Sequence, residues 1–453
     1  MLIENVGQLL DHGYVPARRR VLDILSHALR EADPYRFVAD RIERSPGAVR
    51  LGSAVFYLEQ IDRLYVIGGG KASQRVAKAI EDRLGELVTG GVVAVKEGER
   101  HDLSRIEAVD AAHPVPDHRS VGAARRVMRI AEEASQRDLV ITAISGGSSS
   151  LLCLPPEGVG LDEKRALYRA LLGCGAPIEQ VNAVRKHVSA IKGGRLAAAA
   201  LPAHVVNFAV SDVVGDPLDC FAGPVVPDPT TVEDAVAILK TYDLWETVPR
   251  SVRDHLLSGT AESPKSLDEE RVHTALSLSV STAGRASARR AKELGLRVEV
   301  ITHELEGESR DVGRHLGAML RGWADGGDRM VALIASGEMT VTMPEGGGTG
   351  GPNQEAGLCA AMQLDGQTGA ALAFLGTDGT DGPTTVAGSI VDGSTAERAR
   401  TVGMDLAGAI DRHDATPALV RLGDAIVTGP TGTNLADLVV GVAMPRGMTG
   451  QGS

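Results

Sequence analysis

The chain has 453 residues, of which 43% are apolar and only 3% aromatic, with a formal net charge of −12. The length exceeds one ordinary core and calls for two or three domains, while the few aromatics and the acidic balance exclude a base-stacking platform and a nucleic-acid backbone reader. Four scattered cysteines without a CxxC pair predict neither a zinc cage nor a disulfide framework, and no run matches a membrane span or a signal-peptide core, so a cytoplasmic protein is expected.

Residues 17–45 show helical spacing of Val21, Leu22, Leu25 and Leu29, broken near Pro34. A short strand at 63–67 runs into Gly68-Gly69-Gly70-Lys71-Ala72-Ser73 and then a helix at 74–84. Strand, glycine turn and helix is the order that points backbone N–H groups and a helix N-terminus at an anion. A strand at 91–95 completes a βαβ unit. The segment Ala112-His113-Pro114-Val115-Pro116-Asp117 is extended, because residues before proline avoid the helical region, and a helix follows at 120–135. The strand 139–144 ends in Ser145-Gly146-Gly147-Ser148-Ser149-Ser150, a second glycine and hydroxyl loop.

One long helix is expected over 178–201, with Arg185 and Lys192 on a shared face and Arg195 close by. Its Gly193-Gly194 pair reads equally as a tight helix crossing or as close approach to a ligand. The strand 204–210 leads to Ser211-Asp212-Val213-Val214-Gly215-Asp216, after which the chain turns proline-rich. We therefore place an N-terminal Rossmann-like α/β domain at 1–235, a junction at 236–270 and a second α/β domain at 271–453. The second half restarts with strands at 276–280, 297–302 and 330–335, the last leading to Ser336-Gly337-Glu338. A glycine-rich loop, 346–351, opens a helix at 353–364.

The strand 370–375 ends in Gly376-Thr377-Asp378-Gly379-Thr380-Asp381-Gly382-Pro383, with Asp392 after a short apolar segment. Ligands of open α/β sheets sit outside the carboxyl ends of strands, and carboxylates are hard oxygen ligands suited to Mg²⁺ and its attached phosphates. An Asp-capped surface turn would account for one such Asp-Gly pair; two pairs behind a buried strand favour a site. Two carboxylates so close repel unless a cation or a hydrogen-bond network offsets them. Near the end, Thr428-Gly-Pro-Thr-Gly-Thr433-Asn434 forms one more such turn.

No Walker A is present, since Lys71 is not followed by Ser or Thr. The GxGxxG at Gly346, Gly348 and Gly351 lies in a glycine tract where the match is almost free. The strand after Gly68-Gly69-Gly70 ends in Val95-Lys96, where a dinucleotide site would place an acid for the ribose. Lys71 reads instead as a phosphate-binding cation, and His113 and His187 read as structural.

These segments together resemble the class II glycerate 2-kinases with a C-terminal MOFRL-type domain. The matches are Gly68-Gly-Gly-Lys-Ala-Ser73, His113-Pro-Val-Pro-Asp117, Ser145-Gly-Gly-Ser-Ser-Ser-Leu-Leu152 and Asn182 to His187 with Lys192-Gly-Gly-Arg-Leu196. They continue with Ser211 to Asp216, Gly223 to Asp228, Gly350-Gly-Pro-Asn-Gln-Glu355, Gly376 to Pro383 and Thr428 to Asn434, in order across nearly the whole chain. One position departs, Pro352, where Arg is common in the family.

The resemblance implies ATP- and Mg²⁺-dependent phosphorylation of the 2-hydroxyl of D-glycerate, and two α/β domains with mainly parallel sheets flanked by helices and the site in the interdomain cleft. Its alternatives are a kinase for a related hydroxy acid and a hydroxypyruvate or tartronate-semialdehyde reductase. Carried onto this chain, it implies catalytic roles for Lys71, Asp212 and Asp378 and substrate binding by Arg185, Lys192, Arg195 and Ser145. Nucleotide binding falls to Gly69, Gly70, Gly146, Gly147, Ser148, Ser149, Asn353, Glu355 and Asn434, and metal ligation to Asp216, Asp378 and Asp381. The partners expected are a small hydroxy acid and a nucleotide, with no nucleic acid and no membrane; a homodimer is left open.

Overall fold

The computed structural model describes residues 2–98, 101–211, 223–343 and 346–445. Asp212, Asp216 and Cys220 lie outside the described residues. The chain divides into two compact units, Pro34–Leu278 and Met1–Asp33 with Ser279–Ser453.

The unit Pro34–Leu278 opens with a small antiparallel sheet of β1 (Ile42–Ser45), β2 (Ala48–Leu51) and β3 (Ala54–Tyr57). Its main sheet holds β4 (Arg63–Gly69), β5 (Gly90–Lys96), β6 (Ile106–Ala111), β7 (Asp138–Ser145), β8 (His204–Val210) and β9 (Val272–Leu278). The order is β6-β5-β4-β7-β8-β9 and every pairing is parallel. Every residue of β7 is buried, as expected of a strand covered by helices on both faces. The crossovers run one way from β4 and the other way from β7. The switch point, where a doubly wound sheet opens a crevice for ligands, therefore lies between the ends that carry Gly69-Gly70-Lys71 and Ser145-Gly146-Gly147.

Two expectations change here. The helix foreseen over 178–201 is two helices, Ile178–His187 and Arg195–Ala200. Gly193 and Gly194 break it with φ of 66° and 79°, a region open to glycine at little cost. A Cβ on Gly193 would lie 2.9 Å from that of Ser263, so close packing accounts for this glycine. The stretch 236–270, foreseen as a junction, supplies helices of this unit, Val232–Thr241 and Arg250–Leu257, whose Leu239, Val252 and Leu256 share a core with Val181 and Val184. The Asp117 of the His-Pro-Val-Pro-Asp segment caps the helix His118–Glu132, accepting from the amides of Arg119 (3.0 Å) and Ser120 (3.2 Å).

The other unit is built on β10 (Arg297–Leu305), β11 (Val331–Gly337), β12 (Ala370–Gly376), β13 (Gly388–Asp392), β14 (Ala425–Ile426) and β15 (Asp437–Ala443). Its order is β10-β11-β15-β12-β13-β14. This sheet is mixed: β10 and β11 are parallel, and the remaining four pairings are antiparallel. Two of those four are made by β15, an all-buried strand that enters antiparallel between β11 and β12. Asp437 at its start thereby pairs with both Gly337 and Gly376, and three loops meet at one sheet edge. The N-terminal helix Val15–Glu31 belongs to this unit, through buried Arg18, which binds Asp392 and, at 2.8 Å, Asp424.

Candidate functional site

At the switch point the two glycine loops are tied together. The Lys71 amide donates to Gly146 O (2.9 Å), and the Ala72 amide to the Ser145 hydroxyl (2.9 Å). The Ser73 hydroxyl donates to Ala143 O (2.8 Å). Ser145 and Ser148 are buried, and Gly147 opens the short helix Ser148–Leu151 with φ of 82°. A Cβ on Gly70 would strike the Ser145 hydroxyl at 2.1 Å. Gly69, Gly70 and Ser145 thus shape the loops, while Lys71, Gly146, Gly147 and Ser149 stay partly open. A Cβ on Gly147 would sit 3.2 Å from both the Lys71 side chain and His113, which places these three together. Burial, and then Lys71 and Lys96, push the His113 imidazole down to about 4, so at neutral pH it adds no positive charge beside Lys71.

A second group lies between the helices Leu161–Gly173 and Ile178–His187. The Arg185 guanidinium stands 4.7 Å and the Lys164 ammonium 5.7 Å from the centre of the Tyr168 ring, both within cation–π range. Lys164 is 1% exposed and Lys192 is 4% exposed. Lys164 Nζ donates to Leu154 O at 3.1 Å. Burial first, then Arg185 and Lys164, pushes the Lys192 ammonium down to about 7. Arg185 Nε and the Tyr168 hydroxyl are buried without a hydrogen-bond partner. Arg195, foreseen beside Arg185 and Lys192 as a carboxylate ligand, spends its guanidinium on the backbone carbonyls of Lys186, Lys192, Ala261 and Glu262. His187 is buried between Ala183 O (2.8 Å) and Glu262 (3.2 Å), in keeping with a structural role.

In the unit that carries the acidic loop, a pocket of about 240 Å³ opens at the edge where β11, β12 and β15 meet. Asp378, Asp381, Asn434, Pro352, Glu338 and Asp437 line it. Asp378 turns its own loop, accepting from the Thr380 amide and hydroxyl, both at 2.9 Å. Asp381 is buried and accepts four donors: Asn353 N (3.1 Å) and Nδ2 (3.0 Å), and Gln354 N (2.9 Å) and Nε2 (3.0 Å). These are the first amides available in the helix Pro352–Leu364, since Pro352 has none. The carboxylate expected to ligate metal is therefore committed to a helix N-terminus, where a negative charge is favoured.

Asn353 also donates to Asp437 at 2.6 Å, and it is buried rather than exposed to a nucleotide. Glu355 is buried as well, bound by Arg310 (2.6 Å) and His413 (2.8 Å). Asp437 is pushed up to about 7, by burial and then by nearby Asp381 and Glu338. Asp437 and Glu338 were not singled out as site residues from the sequence; their signal was an acid at the head of one apolar run and an acid just past the end of another.

Two family models match the chain: a domain of unknown function, DUF4147, over residues 20–257, and the MOFRL family over residues 331–437. A glycerate 2-kinase of Pyrococcus horikoshii is 41% identical over 94% of this chain and 98% of its own length. The chain belongs to the class II glycerate kinase family. A protein of Agrobacterium vitis named putative hydroxypyruvate reductase is 37% identical over 94% of each chain. The crystal structure of a glycerate kinase from Thermotoga maritima superposes with a TM-score of 0.84 at 38% identity, over 94% of this chain and 99% of that one. The family's expected α/β architecture is the one observed, with parallel strands flanked by helices in the unit that holds the switch point.

Proposed function

We propose that this chain phosphorylates the 2-hydroxyl of D-glycerate with ATP and Mg²⁺. The observation that carries this reading is the pairing of chemistries. In one unit Lys71 stands at the switch-point loops and Arg185 and Lys192 belong to a buried cationic group; the other unit holds a carboxylate pocket at its own sheet edge. Phosphoryl transfer is mainly positioning and charge neutralisation, and these are the two charges it must balance. Lys71 is assigned to the transferring phosphoryl group, with the Gly147 backbone offering its amide to the phosphates; the Gly146 amide is taken by Val210 O at 3.2 Å. Arg185 and Lys192 are assigned to the carboxylate of the acid.

Among the described residues no three acidic, histidine or cysteine side chains converge on a metal position. That suits Mg²⁺, which usually takes one or two carboxylates and fills its other positions with phosphate and water. Burial holds the Asp437 carboxyl near 7, with Asp381 and Glu338 adding a smaller repulsion that a cation there would offset. Asp378 and Asp437 would hold the ion, which would neutralise the phosphates; Asp381 fixes the helix behind them. A reductase reading gains nothing at the switch point, because β5 ends in Lys96 and offers no acid to a ribose.

The test is ADP release by the purified protein, coupled to a spectroscopic readout, across a panel of hydroxy acids with and without Mg²⁺. Release with D-glycerate above all others is expected. Consumption of NAD(P)H with hydroxypyruvate and no ADP release would replace this reading with the reductase.

A further inference from the structure

The helix Leu161–Gly173 turns two polar side chains inward, Lys164 and Tyr168, the latter 7% exposed. We propose that Lys164 and Tyr168 complete, with Arg185 and Lys192, a buried site that receives the carboxylate of the hydroxy acid. This rests on the kinase reading above.

An isolated buried charge is heavily penalised unless it is paired, and here three cations gather. The groups that act on Lys164 are Cys153, Arg195 and Arg185; those on Lys192 are Arg185, Lys164, Cys153 and Lys186. No carboxylate of the described residues is among them. Lys186 has its own partner in Asp228 at 2.7 Å. Two donors, Arg185 Nε and the Tyr168 hydroxyl, are buried with nothing to bind. Lys164 carries three N–H groups, and Leu154 O takes one of them. Among the described residues, unpaired donors and cations that face no carboxylate, in one place, describe a receptor for an oxyanion.

The Tyr168 ring fixes both Lys164 and Arg185 against its π system, so their heads are held before the ligand arrives. Such preorganisation lowers the entropic cost of binding. A carboxylate and a phosphate share this chemistry. The carboxylate is the better assignment because Lys71 beside Gly147 at the switch point is assigned above to phosphate, on other elements.

Tyr168→Phe deletes one oxygen and keeps the ring. It is expected to raise KM for D-glycerate about tenfold or more, the scale of a hydrogen bond to a charged group, with KM for ATP unchanged. The unliganded protein should melt at the same temperature or higher, because an unpaired buried hydroxyl is gone. Lys164→Met should weaken D-glycerate further in the same direction. A raised KM for ATP with an unchanged KM for D-glycerate would assign the site to nucleotide phosphate and overturn the proposal. An unchanged KM for both would reduce the pair to packing.

Calorimetric titration of D-glycerate and inorganic phosphate into wild type and Tyr168→Phe, without nucleotide, separates this proposal from the kinase reading. Binding of D-glycerate that Tyr168→Phe weakens supports the site even if wild type transfers no phosphoryl group. Absence of D-glycerate binding to wild type, or binding indifferent to Tyr168, overturns it.

Discussion

Replacing Asp381 by Asn tests whether the acidic loop is strained or is anchored. The carboxylate accepts four N–H groups from Asn353 and Gln354 between 2.9 and 3.1 Å. An amide keeps one acceptor oxygen and turns an NH₂ toward the remaining donors, so two of the four bonds are lost. A buried donor left unpaired costs about 1–3 kcal/mol, and part of a helix N-cap is worth about 1 kcal/mol more. Against this, burial pushes the Asp381 carboxyl above its ordinary range, so removing the charge returns some desolvation energy. The four donors outweigh that return, and we expect a net loss of about 2 kcal/mol. For a unit of this size that is a fall of about 4–8 °C in melting temperature. The assay is a thermal melt by circular dichroism, without Mg²⁺ or nucleotide, on wild type and Asp381→Asn. An unchanged or raised melting temperature would refute the anchoring argument and return Asp381 to the role of an uncompensated metal ligand.

Three further outcomes follow from the site. Asp437 sits near 7 when folded and near 3.9 when unfolded; its contribution to stability is present below about 4 and is lost as pH rises through about 7. Asp437→Asn should flatten that fall, and Mg²⁺ should raise the melting temperature of wild type more at pH 8 than at pH 6. Lys192, faced by Arg185, Lys164, Lys186 and Cys153, has a lowered value near 7, so at pH 8 anion binding should take up a proton. Calorimetry in buffers of different ionisation enthalpy reads that uptake, and Lys192→Met should abolish it. Lys71→Met should cut turnover at least about a hundredfold, the scale of a preorganised cation on a transferring phosphoryl group, with an unaltered circular dichroism spectrum.

The buried strands were readable because a strand covered on both faces is a continuous apolar run, as in 139–144 and 370–375. So were the two loops at the switch point, since glycine and hydroxyl residues directly after a buried apolar run mark a turn. The place of β15 was not readable. An apolar run at 437–443 does not reveal that it enters between β11 and β12, and that pairing alone brings Asp437 to the acidic loop. Asp378 and Asp381 looked equivalent in sequence, yet one caps its own turn and the other caps a helix that begins at Pro352. Lys164 and Tyr168 escaped notice because a lysine on a polar helix usually faces solvent. It is the packing of Ile178–His187 and the following turn that buries them. Gly193 and Gly194 read equally as a tight crossing or a ligand approach inside one helix; the helix instead ends at His187, the pair precedes Arg195–Ala200, and the Arg195 guanidinium turns onto backbone carbonyls, that of Lys192 among them.

The most direct measurement of the central claim is the phosphorus NMR spectrum of the product formed from D-glycerate, ATP and Mg²⁺ by the purified protein. A phosphomonoester coupled to the single proton of carbon 2 is expected, appearing together with ADP and absent in Lys71→Met. A phosphomonoester coupled to the two protons of carbon 3, or no new phosphorus signal while ATP is consumed or left intact, would contradict it.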